Sequence, residues 1–296
     1  MKHILIISNI PAPYRSGQFA CLRSRFPEWK VSELYTGKIE ADRVWETDEP
    51  EGETYFLQSK VLSVKGGEVG GTATRFVHLP KGLLKMLDTL KPDVVIAGEY
   101  NLSAVQALFW AKAHQIPFVN MTDGTLRSES YIGFVQKLTR RLIIGGADSF
   151  LASGSRAKEK LLHWGAEEER IAIAYLTVDT TPFQKLVRQP ENGRILYVGR
   201  ISREKGLDLL VQALAKTKVP CALRVAGNDV GGEQAAIQSL AESLGVADRI
   251  QWLGYRQGGA LWAEYSRAAV LAVPSRSDCF GLILVEAACA GLPVAA

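Results

Sequence analysis

The strongest constraint on this chain is an alternation. Short apolar runs recur along it, each followed by a longer segment with helical spacing. In the first half the runs are HILIIS (3–8), DVVIAG (93–98), PFVNM (117–121) and DSFLAS (148–153). Runs that are apolar throughout, and not at every second residue, fit parallel strands covered on both faces. LSAVQALFWAKAHQ and SRAKEKLLHWG between them read as helices, with Ser155 as N-cap and Gly165 as stop in the latter. The second half repeats the grammar with RILYVG (194–199), ALRVAG (222–227), IQWLG (250–254) and AVLAVP (269–274), separated by DLLVQALAK, EQAAIQSLAESLG and ALWAEYSRA. The expected fold class is therefore α/β, as two doubly wound units, a number that suits 296 residues. AYLTVDTTPFQKLVRQPENG lacks sustained periodicity and reads as the linker, which sets expected domains of 1–182 and 183–296. Residues 40–75 carry a poor signal, with acidic ETDEPEGE and glycine-rich KGGEVGGTATR, and are expected to form an excursion with a mobile loop. The chain stops at LPVAA, the start of an apolar strand, so the second domain is expected to be truncated, short of part of its sheet and one covering helix.

Composition excludes several classes. At 47% hydrophobic and 22% charged the chain reads as soluble and globular, and no stretch approaches the roughly 18 apolar residues of a membrane span. The N-terminus has an apolar run too short for a secretory core, so a first strand and a cytoplasmic protein are expected. Cys21, Cys221, Cys279 and Cys289 form no CxxC pair, and three sit among apolar neighbours typical of buried free thiols. Histidines at metal-ligand spacing and Asp-x-Asp are both lacking, so neither a metal nor another cofactor is expected. A net charge of +4 is too slight to imply nucleic acid.

The chemistry concentrates in SRSDCFGLILVEAACAGLP (275–293). Ligands of open α/β sheets bind beyond the carboxyl ends of the strands, where a helix N-terminus offers unpaired N–H groups to anions. Gly281 lets a phosphate approach the backbone there. Glu286 follows about 7.5 Å along the helix axis, at 1.5 Å per residue. A lone carboxylate in an apolar helix either strands a charge in the core or faces a wet cleft. In the cleft it suits a ribose diol, while Asp278 in the preceding loop suits the hydroxyls of a sugar beyond the phosphates. Upstream, YVGRISREKGLDLL sets Arg200 at a strand end and Lys205 before a helix, two cations suited to a diphosphate. For either cation alone, a solvated surface charge is the alternative.

VPSRSDCFGLILVEAACAGLPV resembles the acid-x7-acid motif of retaining glycosyltransferases of the GT-B fold, family 4 (glycosyl transferases group 1). The family's pattern has Glu where Asp278 stands here. YVGRISREKG is similar to its G-R-x-x-x-x-K-G element at Gly199, Arg200, Lys205 and Gly206. The resemblance implies two Rossmann-like domains facing a cleft, and a metal-independent transfer, with retention, of a sugar from a nucleotide diphosphate to an acceptor hydroxyl. It implies that Arg200 and Lys205 neutralise the leaving diphosphate and that Asp278 contacts the donor sugar. The backbone N–H groups of Gly281 and Leu282 would bind the diphosphate and Glu286 the ribose, with Phe280 also among the donor-binding residues. Gly227 in RVAGNDVGG keeps one glycine of a G-x-G turn, and Tyr255 and Arg256 fall where the family contacts the base. SNIPAPYRSGQF resembles the phosphate-approaching loop after the first strand, with Gly17 as its glycine.

The acceptor side is less marked. Where relatives carry histidines, this chain has Glu99 in IAGEYN and Asp123 in VNMTDGT. Each reads either as a substrate contact or as a structural acid, a loop charge for Glu99 and a helix N-cap for Asp123. YIGFVQKLTRRLII carries Lys137, Arg140 and Arg141, which suit anionic lipid or a phosphorylated acceptor; an ordinary amphipathic core helix is the alternative. The partners implied are a nucleotide sugar as co-substrate and a glycan or lipid-linked acceptor, with peripheral contact at the inner membrane face. A non-catalytic sugar-nucleotide-binding protein and a sugar-nucleotide epimerase stand as alternatives.

Overall fold

The computed structural model of the chain describes residues 1–41, 43, 52–68 and 71–296. They form two compact units, one from residues 1–41, 43, 52–68 and 72–177, the other dominated by Val178–Ala296. The division falls at Thr177, a few residues before the expected 182. The segment read as linker is the reason: Phe183 is buried, and Val178 and Leu186 pack with it, in the second unit's core.

The strands of the first unit are β1 (Lys2–Ser8), β2 (Trp29–Tyr35), β3 (Thr54–Phe56), β4 (Ser59–Glu68), β5 (Gly71–Pro80), β6 (Val94–Gly98), β7 (Phe118–Thr122), β8 (Ser149–Ala152) and β9 (Ile171–Ile173). Its helices are α1 (Pro13–Arg25), α2 (Leu83–Leu90), α3 (Leu102–Ala113), α4 (Phe134–Gly146) and α5 (Ser155–His163). Seven strands make one parallel sheet in the order β3-β2-β1-β6-β7-β8-β9. Successive residues of β1 serve opposite faces: Leu5 and Ile7 join a core with Leu34, Val95 and Phe118, while Ile6 packs with Phe19 and Met121. Two covered faces explain why the strand reads as an unbroken apolar run. β4 and β5 pair as a separate ribbon. Most of the glycine-rich stretch expected to be a mobile loop thus lies in paired strands, Val69 and Gly70 falling outside the described residues, as does most of the acidic patch.

In the second unit β10 (Arg194–Val198), β11 (Ala222–Ala226), β12 (Ile250–Gly254), β13 (Val270–Ala272) and β14 (Val294–Ala295) form a parallel sheet in the order β12-β11-β10-β13-β14. Its helices are α6 (Thr181–Gln184), α7 (Leu207–Lys216), α8 (Glu233–Ser243), α9 (Gly259–Arg267) and α10 (Leu282–Cys289). Leu207, Val211 and Ile237 pack with Tyr197 and Val225 in one core. Tyr265 and Ala287 pack with Leu196 and Leu271 in the other. Each sheet reverses its winding once, between β1 and β6 and between β10 and β13. Those reversals are where doubly wound sheets open a crevice for ligands.

Candidate functional site

In the second unit Arg200, Lys205 and Asp278 lie in the two loops at the β10/β13 reversal. The loop after β10 carries Arg200 and Lys205, and the loop after β13 carries Asp278. Lys205 Nζ lies 2.6 Å from Asp278 Oδ2, and the Cys279 N–H donates to Asp278 Oδ1 at 2.9 Å. Lys205 and Asp278 therefore satisfy one another across the reversal, each partly open to solvent. The Arg200 guanidinium stands 3.8 Å from the Glu204 carboxylate, and its carbonyl accepts from the Tyr197 hydroxyl at 2.7 Å, which fixes the backbone that presents it.

Arg276, which the sequence reading did not single out, ties the two loops together. Its guanidinium donates to both Asp208 oxygens at 2.7 and 2.6 Å and to the Arg203 carbonyl at 2.7 Å, and its N–H donates to the Glu204 carbonyl at 2.8 Å. The same guanidinium holds the Asp208 carboxyl below the usual carboxylate range. Two glycines let these loops touch. Gly206 has φ +69°, and a Cβ there would sit 2.1 Å from the Pro274 carbonyl oxygen. A Cβ on Gly227 would sit 1.8 Å from the Gly199 carbonyl oxygen, so this glycine is required by loop-on-loop packing. Gly206→Ala is expected to lower stability by about 2 kcal/mol or more, from the clash and the left-handed backbone together. Denaturant melting of the variant checks it.

Gly281, at φ +76°, caps α10 in the left-handed region, and Leu282 opens the helix. Phe280 is half-buried and Gly281 buried. Glu286 turns neither to bulk solvent nor to a cation: its Oε2 accepts from the Tyr265 hydroxyl at 2.6 Å, and among the described residues no cation pairs with it. Burial raises the Glu286 carboxyl, and the phenol's hydrogen bond offsets part of that. Tyr265 is itself fully buried, and burial beside the carboxylate pushes its phenol far above the ordinary range. Tyr255 and Arg256 follow β12, at the edge of the sheet. The Tyr255 hydroxyl donates to Gln257 at 2.6 Å, and Arg256 donates to the Tyr255 carbonyl at 3.0 Å.

In the first unit the β1/β6 reversal is bridged by Asn101, whose amide donates to Asn9 Oδ1 at 2.9 Å while its own Oδ1 caps α3 through the Ala104 N–H. Gly17 is not in the loop after β1. It lies inside α1, where a Cβ would meet nothing, so its assignment as a phosphate-approaching loop glycine is corrected. The helix starts at Pro13 because a proline's missing N–H costs nothing in a first turn.

Glu99 and Asp123, at the ends of adjacent strands, are brought together. Glu99, at φ +61°, accepts from the Asp123 N–H at 2.9 Å and from the Thr122 hydroxyl at 3.2 Å. Asp123 caps no helix; its Oδ1 pairs with Arg15 Nη2 at 2.6 Å. Beneath this loop runs a buried ionic chain. Lys160, fully buried on α5, donates to the Thr122 hydroxyl at 2.7 Å and to Glu129 Oε1 at 3.1 Å, while Arg140 Nε donates to Glu129 Oε2 at 2.7 Å. The Tyr100 ring lies 4.6 Å from the Lys160 cation and 4.8 Å from that of Arg140. Burial alone would raise the Glu129 carboxyl, but Arg140 and Lys160 outweigh it and hold it below the ordinary range. Gly124 is glycine for the same reason: a Cβ would lie 2.7 Å from Glu129 Oε1 and 2.9 Å from Lys160 Nζ. Lys160 was detectable in the sequence, since it shares the inward face of α5 with Ala157 and Leu161. Of the four thiols, three of which were expected to be buried, Cys21 and Cys279 are exposed and Cys221 and Cys289 half-buried.

Comparison with known proteins meets this geometry where the signature loops lie. Residues 178–296 match the family model described as glycosyl transferases group 1. That match covers Val178–Ala296 of the second unit, the segment that carries the signature loops. A D-inositol 3-phosphate glycosyltransferase of Mycobacteroides abscessus is 34% identical over 166 residues, 52% of this chain and 38% of that relative. The chain thus spans about two fifths of the length of that curated relative. Among solved structures, Anabaena HepE in complex with UDP aligns over 99% of this chain and 80% of its own, with TM-score 0.73 and 15% identity. The apo lipopolysaccharide outer core galactosyltransferase WaaB aligns over the same shares with TM-score 0.71 and 19% identity. These likenesses carry the fold, which is GT-B.

Proposed function

We propose that the chain is a retaining, metal-independent glycosyltransferase, moving a sugar from a nucleotide diphosphate to an acceptor hydroxyl. The observation that carries this reading is the Lys205–Asp278 pair at the β10/β13 reversal, flanked by Arg200 and the tip of α10. When a nucleotide sugar enters, Lys205 leaves Asp278 for the diphosphate, and Asp278 turns to a sugar hydroxyl. Arg200 and the N–H groups of Gly281 and Leu282 share the phosphate charge, Phe280 lines it, and the Glu286 oxygen not held by Tyr265 accepts from the ribose diol. Tyr255 and Arg256 take the base, and Gly227 keeps the loop beside it close.

As the sugar–oxygen bond to phosphate breaks, its electron pair goes to the diphosphate, whose growing charge the two cations and the helix amides stabilise. The acceptor attacks from the same face and passes its proton to a leaving-phosphate oxygen. Those cations supply the neutralisation that a metal supplies in other transferases. Asp123, held by Arg15 and Glu99, orients the acceptor. The curated relative and WaaB are named for phosphorylated inositol and lipopolysaccharide, and a glycan or lipid-linked acceptor met at the cytoplasmic membrane face suits this chain.

Incubating the chain with a panel of UDP-, GDP- and ADP-sugars tests the reading. Thermal stabilisation by one donor together with its slow hydrolysis supports it. Stabilisation without any hydrolysis or transfer points to a binding protein, which the shorter Asp278 would favour.

A pH dependence follows from Glu286. Its carboxyl titrates above the ordinary 4.5. A raised acid lends stability while protonated and loses it as pH rises through the folded pKa; binding of a diol runs the other way and grows over that interval. Tyr265→Phe removes the bond that lowers this pKa. The midpoint of UDP affinity against pH is therefore expected to move upward in the variant, read by calorimetry against wild type so that the nucleotide's own titration cancels. An unchanged or lower midpoint separates Glu286 from the nucleotide.

A further inference from the structure

α4 carries apolar residues on the side that faces water. At 100° per residue, Phe134, Val135, Leu138 and Leu142 share one face with Lys137 and Arg141. Phe134 is 79% exposed and Leu138 46%. The opposite face supplies Ile143 and Ile144 to the core. Arg140, read from sequence as part of the basic face, turns inward to Glu129. The helix is thus apolar on both sides, whereas a helix packed on a core ordinarily presents polar residues to water. No Asp or Glu occurs from residue 130 to 147.

A second element shares this character. On β4, Val61, Leu62 and Val64 are exposed beside Lys60 and Lys65, again with no acid from residue 59 to 67. The ribbon approaches the segment before α4 at Tyr131, whose Cβ would lie 3.1 Å from a Cβ on Gly67. Apolar side chains between single-sign, flexible cations suit a bilayer surface: the apolar groups enter the headgroup boundary and the lysine and arginine heads stay at the phosphates. A protein partner fits less well, since protein interfaces are depleted in lysine.

We propose that this face of the first unit docks on an anionic lipid bilayer, with Phe134 and Leu138 entering it and Lys137 and Arg141 at the phosphates. The inference deepens the reading of a lipid-linked acceptor and rests on it for its purpose, though the surface is tested separately.

The full chain is sedimented with vesicles of phosphatidylcholine alone and of phosphatidylcholine with phosphatidylglycerol. Binding to the anionic vesicles is expected to be at least about tenfold tighter and to weaken with added salt. Lys137→Glu with Arg141→Glu is expected to weaken it by more than about tenfold, at roughly fivefold for each basic residue removed. Phe134→Ser with Leu138→Ser is expected to abolish it at low salt, while Val219→Ser, an exposed valine of the second unit, leaves it unchanged. Wild-type binding by the α4 variants, equal binding to both vesicles, or no binding overturns the proposal. A dimer lost in Phe134→Ser/Leu138→Ser without lipid binding assigns the face to a second copy of the chain instead. Thermal stabilisation by the same panel of UDP-, GDP- and ADP-sugars, followed in every variant, separates the two readings: if it persists without vesicle binding, only the docking fails; if wild type gains none from any of them, the donor reading fails and the vesicle result stands alone.

Discussion

Replacing Lys205 with methionine is expected to cut turnover by about 10²–10³-fold while UDP affinity falls far less. The asymmetry follows from when the charge is needed. On the proposed reading Arg200 and the α10 amides share the diphosphate in the ground state, so one lost cation is tolerable. In the transition state the leaving group gains a further charge, and a fixed group aimed at it is worth the hundredfold or more that loss of one such donor typically costs. Methionine keeps the stem and its packing but removes the charge, leaving Asp278, 2.6 Å from the ammonium in the present structure, without its counterion. Steady-state kcat and KM beside calorimetric UDP binding make the measurement. A kcat within about threefold of wild type would remove Lys205 from the chemistry.

The second large effect lies in the other unit. Lys160→Met is expected to destabilise the chain by about 3–5 kcal/mol, the usual consequence of removing one partner of a buried ion pair. Lys160 is fully buried, and without it Glu129 keeps only Arg140 and the Thr122 hydroxyl loses its donor. Thr122 also donates to Glu99, which accepts from the Asp123 backbone, so the disturbance reaches the candidate acceptor loop. Glu129→Gln in the same background should recover part of the loss, because the stranded carboxylate is then neutral, and the two substitutions should be non-additive. Chemical denaturation checks the magnitude, and hydrogen exchange checks that protection is lost first around residues 122–129.

How far the sequence could be read depended on where each residue finds its partners. Strands β1, β6 to β8 and β10 to β13 were legible within a residue or two, because both of their faces are buried and their composition has no other use. β2 was not. Lys30, Ser32 and Glu33 interrupt its apolar pattern, and Glu33 is buried only because Arg23, 2.6 Å away, and the Tyr35 hydroxyl meet it. The ribbon was missed since glycines on paired strands and glycines in loops look alike without their neighbours. In the site, Lys205 and Asp278 stood out as charges in loops beyond strand ends, and Glu286 as a lone carboxylate in an otherwise apolar helix. Tyr265 and Arg276 did not, as nothing local marks a tyrosine on α9 as the partner of a glutamate on α10. Gly17 failed for the opposite reason: the proline before it starts a helix earlier than the motif expects.

The Lys205–Asp278 contact also bears on discrimination among the many phosphates a cell contains. A bare anion drawing the ammonium away leaves a carboxylate behind with no counterion, so capture of pyrophosphate or of a spent nucleotide is penalised at the moment of entry. Only a guest presenting negative oxygens and sugar hydroxyls in one molecule answers both halves of the broken contact. On the proposed reading half a substrate is thereby held less tightly than a whole one, and after transfer the departing sugar would take with it part of the interaction that kept the nucleotide in place.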